Sequence, residues 1–190
     1  MSFILLGVLN SQATASGLAN DFDLLETTLL STTTASVTFS SLGSYSAYKH
    51  LQLRIVTRGD TNWGGTTYLR MNSDTGSNYA RHALAGFGSS VASNGNSSAA
   101  FIALPFTTAD ASEPVAQAFG GSVIDILDFA NTSKNTTVRG LGGTKRSDSG
   151  AGIEMKSGVW INTAAVTSLT ISGSSGTFLA GSRFSLYGIK

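Results

Sequence analysis

From Val37 to Lys190, apolar and polar residues alternate in short runs, and each run ends in a cluster of Gly, Ser, Asn or Asp. Successive side chains on a strand point to opposite faces, so a run of this kind buries one face and wets the other. In YKHLQLRIVTR (48–58), Leu51, Leu53 and Ile55 share one face while His50, Gln52 and Arg54 share the other. Comparable segments lie at 37–42, 66–71, 79–87, 101–106, 123–129, 136–141, 153–161, 166–171 and 183–189, which makes about ten strands. Even spacing without intervening long helical patterns predicts an all-β, antiparallel β-sandwich of jelly-roll-like design. A short helix is expected at 21–30 or 113–119. No repeat of fixed period stands out, which argues against a propeller or solenoid.

Composition supports this reading and removes several function classes. The chain is 41% hydrophobic with a net charge of +1, enough apolar content for a core and far from the charge-rich profile of disorder. Its 50 Ser and Thr residues compete with helical hydrogen bonding or lose rotamer freedom in a helix. There is no Cys, so there is no disulfide framework, thiolate metal site or Cys nucleophile. Nucleic-acid binding draws on Lys and Arg neutralising phosphates. Here 12 basic residues face 11 acidic ones, and the tightest basic pair, Lys145-Arg146, sits beside Asp148. No nucleic-acid partner is expected.

The N-terminus has a different texture. Ser2 to Leu9 form an apolar run, followed by the small and polar stretch NSQATASGLAND. The run is under half the length of a membrane span, and no positive leader precedes it, the first Lys being Lys49. Neither membrane insertion nor export is expected from it. Such a segment needs cover, either as an ordinary first strand or as an arm docked on another subunit. On the second reading residues 1–22 are a docking arm and linker, with Phe3, Ile4, Leu5, Leu6, Val8 and Leu9 as its contact side chains, and 23–190 are one sandwich domain.

The residues that look chemical have plain structural readings. His50 and His82 fall in strands, and without Cys they do not make up the three or four ligands of a zinc site. Gly-x-Ser-x-Gly and phosphate-loop patterns are missing. Asp125 and Asp128, three apart on a strand, point to opposite faces and form no acid/base pair; pairing with Arg139 or capture of loop amides suits them. NSDTGSN (72–78) reads as an Asx-type turn rather than a calcium loop. Arg58-Gly59-Asp60 reads as a hairpin turn, and three Asn-x-Ser/Thr sequons are the number chance predicts. Trp160 alternates into the core. Trp63, in RGDTNWGG, is flanked by polar and Gly residues, which leaves two roles: an exposed ring for recognition or subunit contact, or a cap on the core. No catalytic residue, metal ligand or cofactor site is assigned, and the chain reads as no enzyme.

MSFILLGVLNSQ, YKHLQLRI, NSDTGSNYARH, VIDILDFANTSKNTTVRGL, GVWINTAAVTSLTI and the ending FLAGSRFSLYGIK together resemble small virion proteins of tailed bacteriophages, above all those of phages of cyanobacteria and other aquatic bacteria. The resemblance runs over nearly the whole chain and is most specific at VIDILDF, WINTAAVTSLTI and RFSLYGIK. It implies a virion structural protein with other virion proteins as partners, and it carries over no catalytic residue. Expected first is a homotrimeric tail-fibre or tail-tip module whose loops, Trp63 and the stretch 88–98 among them, meet host glycans or a neighbouring tail protein. The alternative is a capsid decoration protein reinforcing the head.

Overall fold

The computed structural model describes residues 21–60, 66–105, 108–109, 118–146, 150–174 and 176–190. Phe3, Ile4, Leu5, Leu6, Val8, Leu9 and Trp63 lie outside the described residues. In chain order the strands are β1 (Phe22–Leu29), β2 (Ser36–Phe39), β3 (His50–Arg58), β4 (Thr67–Met71), β5 (Tyr79–Phe87), β6 (Ser90–Ala99), β7 (Ile102–Ala103), β8 (Thr108–Ala109), β9 (Gly120–Leu127), β10 (Thr136–Arg146), β11 (Gly150–Trp160), β12 (Leu169–Gly173) and β13 (Arg183–Ile189). They form two sheets. The large one runs β1-β13-β3-β9-β10-β11-β5-β6, with β8 added to β3, and the small one runs β2-β12-β4-β7. All pairings are antiparallel except the two-residue β3–β8 contact. The expected all-β antiparallel sandwich is therefore what the chain forms, with sheets of unequal width.

Alternation places the core between the sheets. Across the large sheet, Leu186, Leu53 and Ile124 lie in register, as do Phe184 and Ile55 one step along. Across the small sheet, Phe39, Leu169 and Met71 align, and so do Val37, Ile171, Leu69 and Ile102. These side chains are all buried and belong to one continuous apolar cluster. Further along the large sheet the inner face changes character. The positions in register with Ile124 and Ile126 on β10 and β11 include Gly140 and Gly158. A Cβ on Gly140 would lie 2.9 Å from Pro105, and one on Gly158 would lie 3.0 Å from Ile102, so both glycines let the segment around β7 pass close beneath the sheet. Beside it, Lys156 Nζ sits 3.1 Å from Glu154 Oε2 and donates to the Leu104 carbonyl at 3.0 Å. Burial pushes the Lys156 amine below its ordinary range, and Glu154 opposes that shift.

Two expectations change. Residues 22–29 are strand, not helix. Leu24, Leu25, Leu29 and Leu30 mimic helical spacing because a β-bulge between Leu24 and Glu26 breaks the period of two. Residues 113–117 lie outside the described residues. Among the described residues of the run 101–106, Ile102–Ala103 is strand.

β1 and β13 close one edge of the sheet, with Phe22 opposite Ile189 and the Lys190 amide donating to the Asp21 carbonyl at 3.1 Å. Tyr48 locks this corner: its hydroxyl donates to Asp23 Oδ2 at 2.7 Å and its ring lies against Gly188. A Cβ at position 188 would come within 2.5 Å of that ring. Gly188→Ala should accordingly cost about 1–3 kcal/mol, a fall in Tm of roughly 3–10 °C for a domain of this size. Gly43→Ala, whose methyl meets open space, is the control; equal melting of both variants would refute the close-packed corner.

Candidate interaction surface

The polar residues singled out from the sequence are separated by the fold. His50, at the start of β3, accepts the Asp128 amide on Nδ1 at 2.9 Å and faces the Asp128 carboxylate at 3.6 Å. His82 lies on β5, four strands away in the sheet order. Among the described residues no group of three His, Asp or Glu is placed to hold a metal ion. Asp128 falls just past β9 in the left-handed region (φ 52°), where its carboxylate takes the Lys134 ammonium. That hydrogen bond is the main reason its pKa lies below the ordinary value. Asp125 pairs with Arg139, as the sequence suggested.

The 72–78 segment is a turn built on Asp74. Its carboxylate accepts the Gly76 amide at 2.8 Å, the Asn78 side-chain amide and, at 2.8 Å, the indole N–H of Trp160. Trp160 is core, as expected, with its one polar atom satisfied. Arg58-Gly59-Asp60 is not a hairpin tip. Arg58 is buried at the end of β3, Gly59 bridges to Phe178, and Asp60 accepts both the amide and the hydroxyl of Thr177. The tripeptide is spent on local structure.

The stretch 88–98, expected as a recognition loop, is mostly the edge strand β6. Ser, Asn and Gly carry no alternation, and pairing comes from the backbone against β5. Nine of its ten residues are exposed. Among the described residues no strand covers its outer edge. It also lacks the Lys, Pro or inward charge by which edges are usually protected.

The outer face of the large sheet carries most of the exposed large apolar side chains among the described residues. Three rows cross it in register. A polar ladder runs Gln52–Asp125–Arg139–Ser157–His82, with Gln52 donating to Asp125 Oδ1 at 2.9 Å, Arg139 to Oδ2 at 3.0 Å, and Arg54 to Gln52 at 3.0 Å. The next row holds Val123, Leu141, Met155 and Leu84. The third reads Val56–Gly121–Gly143–Ile153–Gly86–Val91. The seven apolar side chains of the last two rows are 41–77% exposed. Arg54, opposite Val123 at the β3 end of the second row, lies over the stacked rings of Phe22 and Tyr187, 4.9 and 4.7 Å from their centroids.

Alternation did not reveal this face, because a half-buried strand is assumed to be polar outside. The signal was present in VIDIL, where Val123, Ile124, Ile126 and Leu127 leave too few polar positions for one wet face. Near-continuous apolar strands belong to sheets contacted on both sides.

Asp74 gives a test of the turn that supports this sheet. Its hydrogen bonds, first that from Trp160, hold its pKa below the ordinary carboxylate value. The linked stability is present above the unfolded pKa of about 3.9 and is lost as pH falls through the lower folded value. Asp74→Ala should cost about 1–3 kcal/mol at pH 7 by leaving the Trp160 N–H unpaired. Melting curves should show the gap to the parent chain closing below about pH 4; a gap independent of pH would rule out the carboxylate as its source. The chain matches no protein-family model and no curated protein.

Proposed function

We propose that this protein is a structural component of the virion of a tailed bacteriophage, a tail-fibre or tail-tip module that attaches through its N-terminal arm and works by contact rather than by chemistry. One observation carries most of the reading: the sheet face just described is broad, apolar and open, the mark of a protein whose surface meets other protein. The uncharged edge of β6, which no strand covers among the described residues, supports it, since such an edge suits a chain that finds neighbours in an assembly. The resemblance of nearly the whole sequence to virion proteins supplies the setting. In that setting residues 1–22 dock on a neighbouring virion protein, the copies form a homotrimer, and Trp63 meets a host glycan or a tail partner.

Immunogold labelling of intact particles tests the position. Label at the tail is the expected result; label confined to the head would replace this reading with that of a capsid decoration protein, and unlabelled particles would remove the virion reading altogether. Removal of residues 1–12 should leave the sandwich folded by circular dichroism and abolish incorporation into particles. A truncated chain that still assembles would refute the docking arm. For Trp63→Ala, weaker adsorption at unchanged Tm is expected; a large drop in Tm would make the ring a cap on the core.

A further inference from the structure

We infer that the outer face of the large sheet is a contact between copies of this chain, each covering the Val/Leu/Ile/Met rows of another. This inference stands on the sheet face and does not rest on the virion reading.

Three features single out a second copy as the occupant. The first is area. Seven aliphatic side chains at about half exposure or more expose several hundred Å², at or above the upper end of the roughly 300–600 Å² that lone domains tolerate. With the ladder as rim they approach the ~800 Å² per partner of a standard stable interface. The second is composition. From Val56 to Val91, across β3 to β6, and from Val123 to Leu84, across β9, β10, β11 and β5, the rows hold no charged residue; Arg54, opposite Val123 on β3, and Arg183, opposite Val56 on β13, stand at their ends. The charges lie at those row ends and in the ladder, where Asp125 is already engaged by Gln52 and Arg139. An apolar centre with charge kept to the border is more typical of contacts between identical subunits than of transient ones.

The third feature is relief. The row Val56–Gly121–Gly143–Ile153–Gly86–Val91 alternates knobs with gaps one or two residues wide. A Cβ at Gly121, Gly143 or Gly86 would meet nothing closer than 3.8, 3.4 and 3.5 Å. The chain's own packing therefore does not demand glycine at these positions, unlike Gly140 and Gly158 on the inner face. Knobs and hollows in one row are self-complementary: Val and Ile of one copy fit the gaps of the next. Two right-twisted sheets also pack face to face about 10 Å apart with strands some 30° askew, so the face needs no rearrangement to receive its like.

Sedimentation equilibrium of the full chain from about 1 to 100 μM tests this, with two variants. Ile153→Lys/Met155→Lys places ammonium groups in the apolar rows, and Gly143→Val fills a hollow; both sites face outward, so far-UV circular dichroism should be unchanged. The expected result is an oligomeric parent chain whose association each variant weakens at least about 100-fold. A monomeric parent chain across the range overturns the inference. So does an oligomer that survives both variants, or one that only removal of residues 1–12 dissociates, since the contact would then belong elsewhere. None of these results bears on where the protein sits in a particle, which labelling decides separately.

Discussion

The domain depends on the apolar contact between a small sheet and one half of a sheet about twice as wide. Leu53, Ile124, Leu186 and Phe184 on one side and Phe39, Met71, Leu169 and Ile171 on the other form a single buried cluster. A four-stranded sheet cannot cover eight strands. The uncovered half of the inner face must be closed by other means, and the chain closes part of it by running Ile102–Pro105 beneath Gly140 and Gly158. The Glu154–Lys156 pair belongs to this second region, where the Lys156 ammonium is shared between the Glu154 carboxylate and the Leu104 carbonyl. Width beyond the core is thus the cause of both the glycine-rich centre of the sheet and its buried ion pair.

The same excess width shapes the outer face. A strand in the middle of a broad sheet can be apolar on both sides only if something covers both sides. β9 is written that way, with Val123 outside and Ile124 inside, while β11 turns Ile153 and Met155 outside and keeps Glu154 and Lys156 inside. An exposed apolar face is therefore already encoded in the strand residues themselves, independent of any loop. Among the described loops, by contrast, the carboxylates are consumed by local structure: Asp74, Asp128 and Asp60 all spend their oxygens on nearby donors.

The legible parts of the sequence were those where a single periodicity governs. β3 alternates from His50 to Val56, and the bounds of β5 and β13 coincide with the runs 79–87 and 183–189. β1 could not, because its bulge shifts the phase midway and imitates leucines at helical spacing. β6 was illegible for a different reason. A strand with polar residues on both faces is held by its backbone alone, and sequence patterns report side chains. The roles of Asp125 as partner of Arg139, of NSDTGSN as a turn and of Trp160 as core followed from local rules. The apolar outer face did not, since alternation identifies the face that is buried and is silent about what the other one meets.

The pairing of β1 with β13 has a mechanical consequence. Residues 21 and 190 leave the sheet side by side, at the same end of one antiparallel pair. Tension that draws those two ends apart loads the Phe22–Ile189 pair first and peels the strands like a zipper, one hydrogen-bonded step at a time. Tension applied to residue 21 along the strand axis, with the body of the domain held fixed, instead loads every step of β1 together in shear. A module tethered through the segment before β1 and gripped on its sheet face is pulled in the second way, so the edge that looks weakest in the sheet order is the one oriented to bear load.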